Sequence, residues 1–400
     1  MLGLALDMTP EELKMGGKAE VFDEYRRRRG DVNPPKEIPA SESPVKEIIL
    51  QGKDIDLSLL PITHHTEHNP GKYISAGMTI CKDPDTGIPN VGVYRIHVKG
   101  KDRFGCAMRP SNNGGLIARR YAELGKTMEV VTFIGHHPAV FNAATTIGPL
   151  EMNELEVMGS LLGEPLEVTA TTTVDLPVPA RAEIAIEGII DPSKMDTDGP
   201  FSEAFGYYGD ERPCYVTQVT AITMRQDAIY HDLYPAHIEH NLSYQLSRES
   251  NLYDRVKSAV PTIKAVHYGP EKQMASNLVY ISIRKRSQGE GRLAGLTALN
   301  SDIISKIAVV VDDDIDVYNE HEVLWAIGTR VRADSDILII PRMPTIHLNP
   351  CAYNETETWT GYMDAKILID ATKPADLPFA VRVTPPKSLW DYMKLEDYLG

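Results

Sequence analysis

Between residues 48 and 225, apolar and polar positions alternate in short runs broken by Gly, Pro and Asn. A period of two interrupted by such breakers predicts strands. The clearest are 91–98, 128–133, 167–174, 182–190 and 215–224, with helical interruptions around 116–124 and 153–162. This pattern predicts a barrel or sandwich with helices attached. Residues 11–29 instead predict a charged helix, closed by Gly30 and followed by a linker containing Pro34 and Pro35. That helix has no sheet of its own and is expected to pack on another element or subunit. After Leu242 strand and helix alternate, as in a layered domain: a helix through Val256, a strand at 278–283, a helix at 293–305 and a strand at 307–311. Further strands are expected at 337–340 and 366–369, and a short amphipathic helix at 389–398. The whole reads as α+β in three parts: a helical segment with linker (1–47), a β-rich unit (48–242) and a C-terminal α/β unit (243–400).

Composition narrows the function. With 400 residues, 42% of them hydrophobic, the chain can bury a sizeable core. A formal charge of -15 argues against nucleic acid or an anionic membrane as partner, and points to small-molecule chemistry. Cys81, Cys106, Cys214 and Cys351 are dispersed and form no C-x-x-C, so neither a zinc ribbon nor a disulfide framework is expected, and a reducing cytoplasm fits. The apolar start at residues 2–6 lacks a basic flank, and no apolar run approaches the about 18 residues of a membrane span. Neither a signal peptide nor a transmembrane segment is expected.

Asp198, Gly199, Pro200, Phe201, Ser202 and Glu203 place two carboxylates either side of a Gly-Pro corner. Pro fixes its own φ and disfavours helix before it, so the acids project from a rigid loop or strand entry. Paired acids in unequal surroundings suit proton transfer near neutral pH, although Asp-Gly-Pro is also ordinary turn chemistry. Arg95 interrupts an apolar alternation and, on a continuous strand, shares a face with Val93 and His97. A buried guanidinium there needs an acid or an anionic ligand; an exposed edge strand would leave it in solvent. His64, Glu67 and His68 spell an inverted zinc-protease motif, but Pro61, Asn69, Pro70 and Gly71 bracket it, so a loop is expected instead of the required helix. His237 and His240 either cap the next helix or line a substrate site. Asp312, Asp313, Asp314 and Asp316 after a strand read as a solvated loop and helix start in preference to a magnesium site. Gly289, Gly291 and Gly295 do not form G-x-G-x-x-G, and no Walker-type phosphate loop occurs.

Several ordered segments together resemble the UbiD family of decarboxylases: residues 87–95, the Gly135, His136, His137, Pro138 turn, 147–163, 198–209, and 309–330. The resemblance implies a split β-barrel that binds prenylated FMN, followed by an α/β domain with an oligomerisation helix. It implies an Arg-acid-acid network on Arg95, Asp198 and Glu203, with Glu203 as proton donor and Asp198 tying Arg95 in place. The metal that joins protein to cofactor phosphate would use Asn90, Asn112 and Glu154, Asn112 standing where the family has His. Mn²⁺ or Mg²⁺ is expected, with K⁺ as a further candidate. Gly92, Tyr94, Arg95, Thr145, Thr146, Ile147 and Lys366 complete the expected cofactor contacts. Asp198 stands where many relatives have Glu, and the N-terminus is short for the family. The implied activity is reversible, non-oxidative decarboxylation of an aromatic or α,β-unsaturated acid, with a flavin prenyltransferase supplying the cofactor and a homodimer or homohexamer as assembly. A non-catalytic cofactor-binding subunit of a larger carboxylase, and a metallohydrolase on His64, Glu67 and His68, are the competing readings.

Overall fold

A computed structural model of the chain describes residues 2–110, 112–269, 277–354, 361–384 and 386, so the helix expected at 389–398 lies outside the described residues. The first long helix, Pro10–Arg29, begins where its capping residues dictate. Thr9 accepts the Glu12 N–H at 3.2 Å, the Glu12 carboxylate accepts the Thr9 N–H at 2.7 Å, and Pro10 occupies the first turn. Lacking a sheet, the helix is anchored by its arginines. Arg28 donates to the Leu161 carbonyl at 3.0 Å, and Arg29 reaches Asn251 at 2.6 Å on the long helix Ile238–Ala259.

The largest sheet has nine strands, and every pairing in it is antiparallel. Its order is Tyr73–Ile74, Ile96–Val98, Arg103–Cys106, Arg212–Met224, Ile184–Asp198, Met128–Ile134, Met78–Lys82 and Pro89–Val93, with Ile48–Gln51 also pairing on Arg212–Met224. Both faces are covered. Val131, Phe133 and Ala185 enter one core with Met78 and Ile80, while Val130, Ile134, Ile184 and Ile186 enter the other with Ile96 and Phe104. Double burial explains why residues 130–131 and 184–186 are apolar on both faces, within strands otherwise marked by alternation.

The strand expected at 91–98 is in fact two strands at opposite ends of this sheet. Pro89–Val93 forms one edge, and Ile96–Val98 lies next to the other. From Val93 to Ile96 the chain can span at most about 11 Å. The sheet must therefore curl until its ends nearly meet, making a half-barrel with Tyr94 and Arg95 at the seam. The Tyr94 ring is buried in a slot between two glycines: a Cβ on Gly92 would stand 2.5 Å from its hydroxyl, and one on Gly114 2.4 Å.

Other expectations shift for local reasons. The strand expected at 182–190 continues to Asp198, because 195–198 keep pairing with 212–215 although 195–197 are exposed and show no apolar period. The strand expected at 167–174 stops at Ala170 and belongs to a small separate sheet with Lys36–Glu37 and Pro177–Pro179.

A second sheet follows, ordered Ile263–Gly269, Leu278–Ile283, Ile307–Asp312, Tyr362–Ala371 and Ile337–Pro344, with parallel pairing at its centre. The helix expected at 293–305 runs over Glu290–Ser301. In the acidic run after Ile307–Asp312, Asp313, Asp314 and Asp316 are exposed, as expected of a solvated loop and helix start, and ion pairs tie the run down. Arg330 donates to Asp312 at 3.0 Å and to both Asp314 oxygens, and Lys373 bonds Asp314 at 2.9 Å, while Asn319 caps the next helix.

Two outcomes are expected. Gly114→Ala gains helix propensity yet should cost about 1–3 kcal/mol in urea unfolding because its methyl meets the Tyr94 hydroxyl, and the cost should shrink in a Tyr94→Phe background. Burial, followed by the charge of His137, pulls the His136 imidazole down to about 4, and its Nδ1 accepts the His137 N–H at 2.8 Å. The folded state thus refuses a proton that the unfolded chain takes up below its ordinary value of 6.5. Stability present above pH 6.5 is lost as pH falls toward 4, and His136→Gln should flatten that decline by roughly 1–2 kcal/mol at pH 5, measured by urea titration at pH 7 and pH 5.

Candidate active site

Arg95 leaves the seam toward two carboxylates. Asp198 ends the longest strand, and Gly199, at φ +96° with a cis bond to Pro200, turns the chain sharply into the hairpin of Phe201–Ser202 with Tyr208–Gly209. The Glu203 N–H closes that turn on the Tyr207 carbonyl at 2.9 Å. These elements bring the three residues together. Arg95 Nε donates to Asp198 Oδ2 at 2.6 Å, Arg95 Nη1 donates to Glu203 Oε1, and the guanidinium lies 4.8 Å over the Phe201 ring. The Arg95 side chain is 12% exposed, Asp198 1% and Glu203 8%, so Arg95 is not on a solvent-facing edge. Burial alone would lower its pKa; the charges of Glu203 and Asp198 outweigh that and raise it.

The two acids are unequal. The Tyr73 hydroxyl donates to Asp198 Oδ1 at 2.9 Å and accepts the Gly199 N–H at 3.3 Å, so both Asp198 oxygens are engaged. Burial, then the adjoining Asp198 charge, pushes the Tyr73 phenol far above its ordinary pKa, which keeps it a donor. Glu203 uses only Oε1 among the described residues. A cavity of about 260 Å³ opens beside it, walled by Val93, Ala107, Phe201, Leu233 and Pro235, with Arg95, Arg109, Asn112 and His240 among its polar groups. His240 thus reaches the cavity, whereas His237 caps the helix by accepting the Glu239 N–H at 3.3 Å.

Behind the seam, Asn90 and Glu154 form a second buried pair. Asn90 Nδ2 donates to Glu154 Oε1 at 3.0 Å, and the Val91 N–H donates to Oε2 at 2.9 Å. Burial lifts the Glu154 carboxyl to about 7 despite these donors, and Asn90 Oδ1 is buried without a partner among the described residues. An orphaned acceptor next to a poorly solvated acid is a setting a cation would satisfy. Asn112 caps the helix Asn113–Glu123 through Oδ1, which accepts the Gly115 N–H at 2.8 Å, and leaves one lone pair on that oxygen.

The remaining expected contacts divide. Thr145 ends the helix Pro138–Ala144, Thr146 Oγ1 is buried without a partner among the described residues, and Ile147 is exposed with its N–H on Ser247. Lys366 lines a cleft between the barrel and the second sheet that Ile147 also lines. Its ammonium donates to the Leu299 and Asp302 carbonyls at 2.7 and 2.8 Å. His64, Glu67 and His68 sit on a loop, as the flanking prolines require; among the described residues no three His, Cys, Asp or Glu side chains gather as a ligand set. Tyr73 and Arg109 are absent from the sequence expectations. The signal for Arg109 is a cation directly after the apolar run 104–108, and Tyr73 carries none, since a buried Tyr on a strand is ordinary core.

The profile of the 3-octaprenyl-4-hydroxybenzoate carboxy-lyase Rift-related domain, UbiD, matches residues 36–238, and that of the same enzyme's C-terminal domain matches 242–371. The UbiD-class enzyme HmfF from Pelotomaculum thermopropionicum, solved with FMN, is 35% identical with a TM-score of 0.89, over 99% of this chain and 85% of that one. Vanillic acid decarboxylase of Sedimentibacter hydroxybenzoicus, in its open form, is 29% identical with a TM-score of 0.83, over 99% and 84%. Among curated relatives, the anhydromevalonate phosphate decarboxylase of Methanothermobacter thermautotrophicus is 34% identical over 343 residues, 84% of this chain and 79% of that protein. With the first profile matched across the curled sheet that carries a buried arginine between two acids, and the second following it in order over the second sheet, the chain belongs to the UbiD family of carboxy-lyases.

Proposed function

We propose that the protein is a reversible, non-oxidative decarboxylase of an aromatic or α,β-unsaturated carboxylic acid, working with prenylated FMN and a divalent cation. The observation that carries this is Arg95 locked between Asp198 and Glu203 at a cavity wall, with Glu203 Oε2 uncommitted among the described residues. Decarboxylation breaks a C–C bond, releases neutral CO2 and leaves an electron pair on carbon that a proton must quench. Arg95 orients the incoming carboxylate. Asp198, held from both sides, keeps Arg95 charged and aimed. Glu203, carrying the proton on Oε2, delivers it to the carbon as the new C–H bond forms, and regains one from solvent before the next turnover.

When bound, prenylated FMN supplies the electron sink that makes the C–C cleavage feasible. Asn90, Glu154 and Asn112 are the residues that would hold the cation. Their donors are oxygens, which suits Mn²⁺ or Mg²⁺ better than a soft ion. The orphaned Asn90 Oδ1 and Thr146 Oγ1 are the groups of this chain best placed to take up cation and cofactor. Gly92 and Tyr94 hold the seam that forms the cavity floor. Lys366 is left out of this assignment, since its ammonium is committed to two backbone carbonyls.

Protein produced together with a flavin prenyltransferase should carry a modified flavin and release CO2 from members of an aromatic and unsaturated acid panel. A loaded protein inert on the whole panel would remove the proposal. Glu203→Gln should keep the flavin spectrum and lose turnover by about 10²–10⁴-fold; undiminished turnover would strip Glu203 of its proton-donor role. Glu154→Gln, measured by elemental analysis and flavin content, should lower both bound cation and retained cofactor by about tenfold or more, because it removes the one carboxylate of the ligand set.

A further inference from the structure

Arg109 is a second guanidinium in the cavity, and the mechanism above gives it no task. Its side chain is 31% exposed, and that surface faces the cavity beside Glu203. The nearest acid oxygen, Glu203 Oε1, is 3.6 Å from Nη2, beyond hydrogen-bond length and already taken by Arg95. Arg109 donates no side-chain hydrogen bond among the described residues. Arg95, by contrast, is bonded to two carboxylates, and Arg212 has the Tyr362 hydroxyl at 3.1 Å.

The position of Arg109 is fixed. Its carbonyl accepts the Asn112 N–H at 3.1 Å, and a Cβ on Gly115 would stand 1.8 Å from that same carbonyl oxygen, so the turn closes only over a glycine. Neighbouring histidines add no competing charge. Burial, then the charges of Arg109, Arg212 and Arg95, holds His347 down to about 2, and burial likewise lowers His240. Arg109 itself is pulled down by burial and by Arg95 and Arg212, with Glu203 as its principal counter-charge. When Glu203 carries the proton it is to donate, that counter-charge is gone. The reacting carboxylate gives no lasting replacement either, because it leaves as neutral CO2.

We propose that Arg109 anchors a second oxyanion on the substrate, a carboxylate or a phosphate that persists through the reaction, so that the preferred substrates are dianionic acids. This rests on the decarboxylase reading above and names its substrate class. A guanidinium suits either oxyanion, since its fork of donors matches both.

The test uses full-length holoprotein and matched pairs: trans,trans-muconate against sorbate, terephthalate against benzoate, and 5-phosphooxypent-2-enoate against pent-2-enoate. Affinity is read by calorimetry and CO2 release in parallel. At least one dianion should bind about tenfold or more tighter than its monoanionic partner, in line with a charge-assisted contact, and the arm that wins identifies carboxylate or phosphate. Arg109→Leu should bring that ratio close to one, and Arg109→Lys should retain part of it. The ratio in wild-type protein should also shrink with added salt, which needs no variant to fold. Equal affinity for both members of every pair, or a ratio unchanged in Arg109→Leu, would overturn the proposal. So would an Arg109→Leu effect confined to flavin content, which would assign Arg109 to the cofactor. CO2 release with monoanions preferred sinks the dianion inference and leaves the decarboxylase reading intact; a dianion preference lost in Arg109→Leu without CO2 release from any acid does the reverse.

Discussion

A guanidinium withdrawn from water between two carboxylates is the interaction around which the rest of the structure is arranged. Removing Arg95 would leave two buried carboxylates without their shared cation, a change that costs about 3–5 kcal/mol in comparable sites. The curled sheet, the sharp Gly199 turn and the Tyr73 hydroxyl all hold the two acids where Arg95 arrives. Much of the architecture is therefore in place for electrostatic reasons, and the apolar cores on the two sheet faces keep that charge cluster out of solvent.

The asymmetry of the pair follows from ordinary hydrogen-bond accounting. Asp198 has a donor on each oxygen, while Glu203 faces the cavity with one oxygen engaged. One acid is thereby fixed as a counter-ion, and the other keeps an oxygen uncommitted among the described residues, as the proposed proton donor requires. Asp in place of a longer acid is compatible with this division, since the Asp198 carboxylate meets both Arg95 and Tyr73 at hydrogen-bond distance from the end of its strand.

Strands with one apolar period, such as Met128–Ile134 and Arg212–Met224, were legible because their burial pattern is local. The break at Tyr94 was not, because nothing in 91–98 marks a change of pairing partner, and that is a property of the whole sheet. The same holds for the ion pairs of Asp312 and Asp314: their partner Arg330 lies a helix away, so the run by itself shows exposed acids but not the cation that meets two of them. Of the candidate site, the Arg-acid-acid set was legible through ordered motifs, each weak singly. Tyr73 and Arg109 were not, since their significance lies in what stands opposite them in space. Lys366, expected among the cofactor contacts, shows what residue type alone leaves out: its ammonium donates to two backbone carbonyls.

The two-residue bridge between the sheet's ends has a consequence for how this chain can vary. It acts as a ruler: one residue more or fewer between Val93 and Ile96 would slide a flanking strand by one step and reverse which of its side chains point inward. Substitutions along the bridge alter chemistry, whereas insertions or deletions there would scramble registry at both margins simultaneously. Length, more than composition, is what this short stretch has least latitude to change.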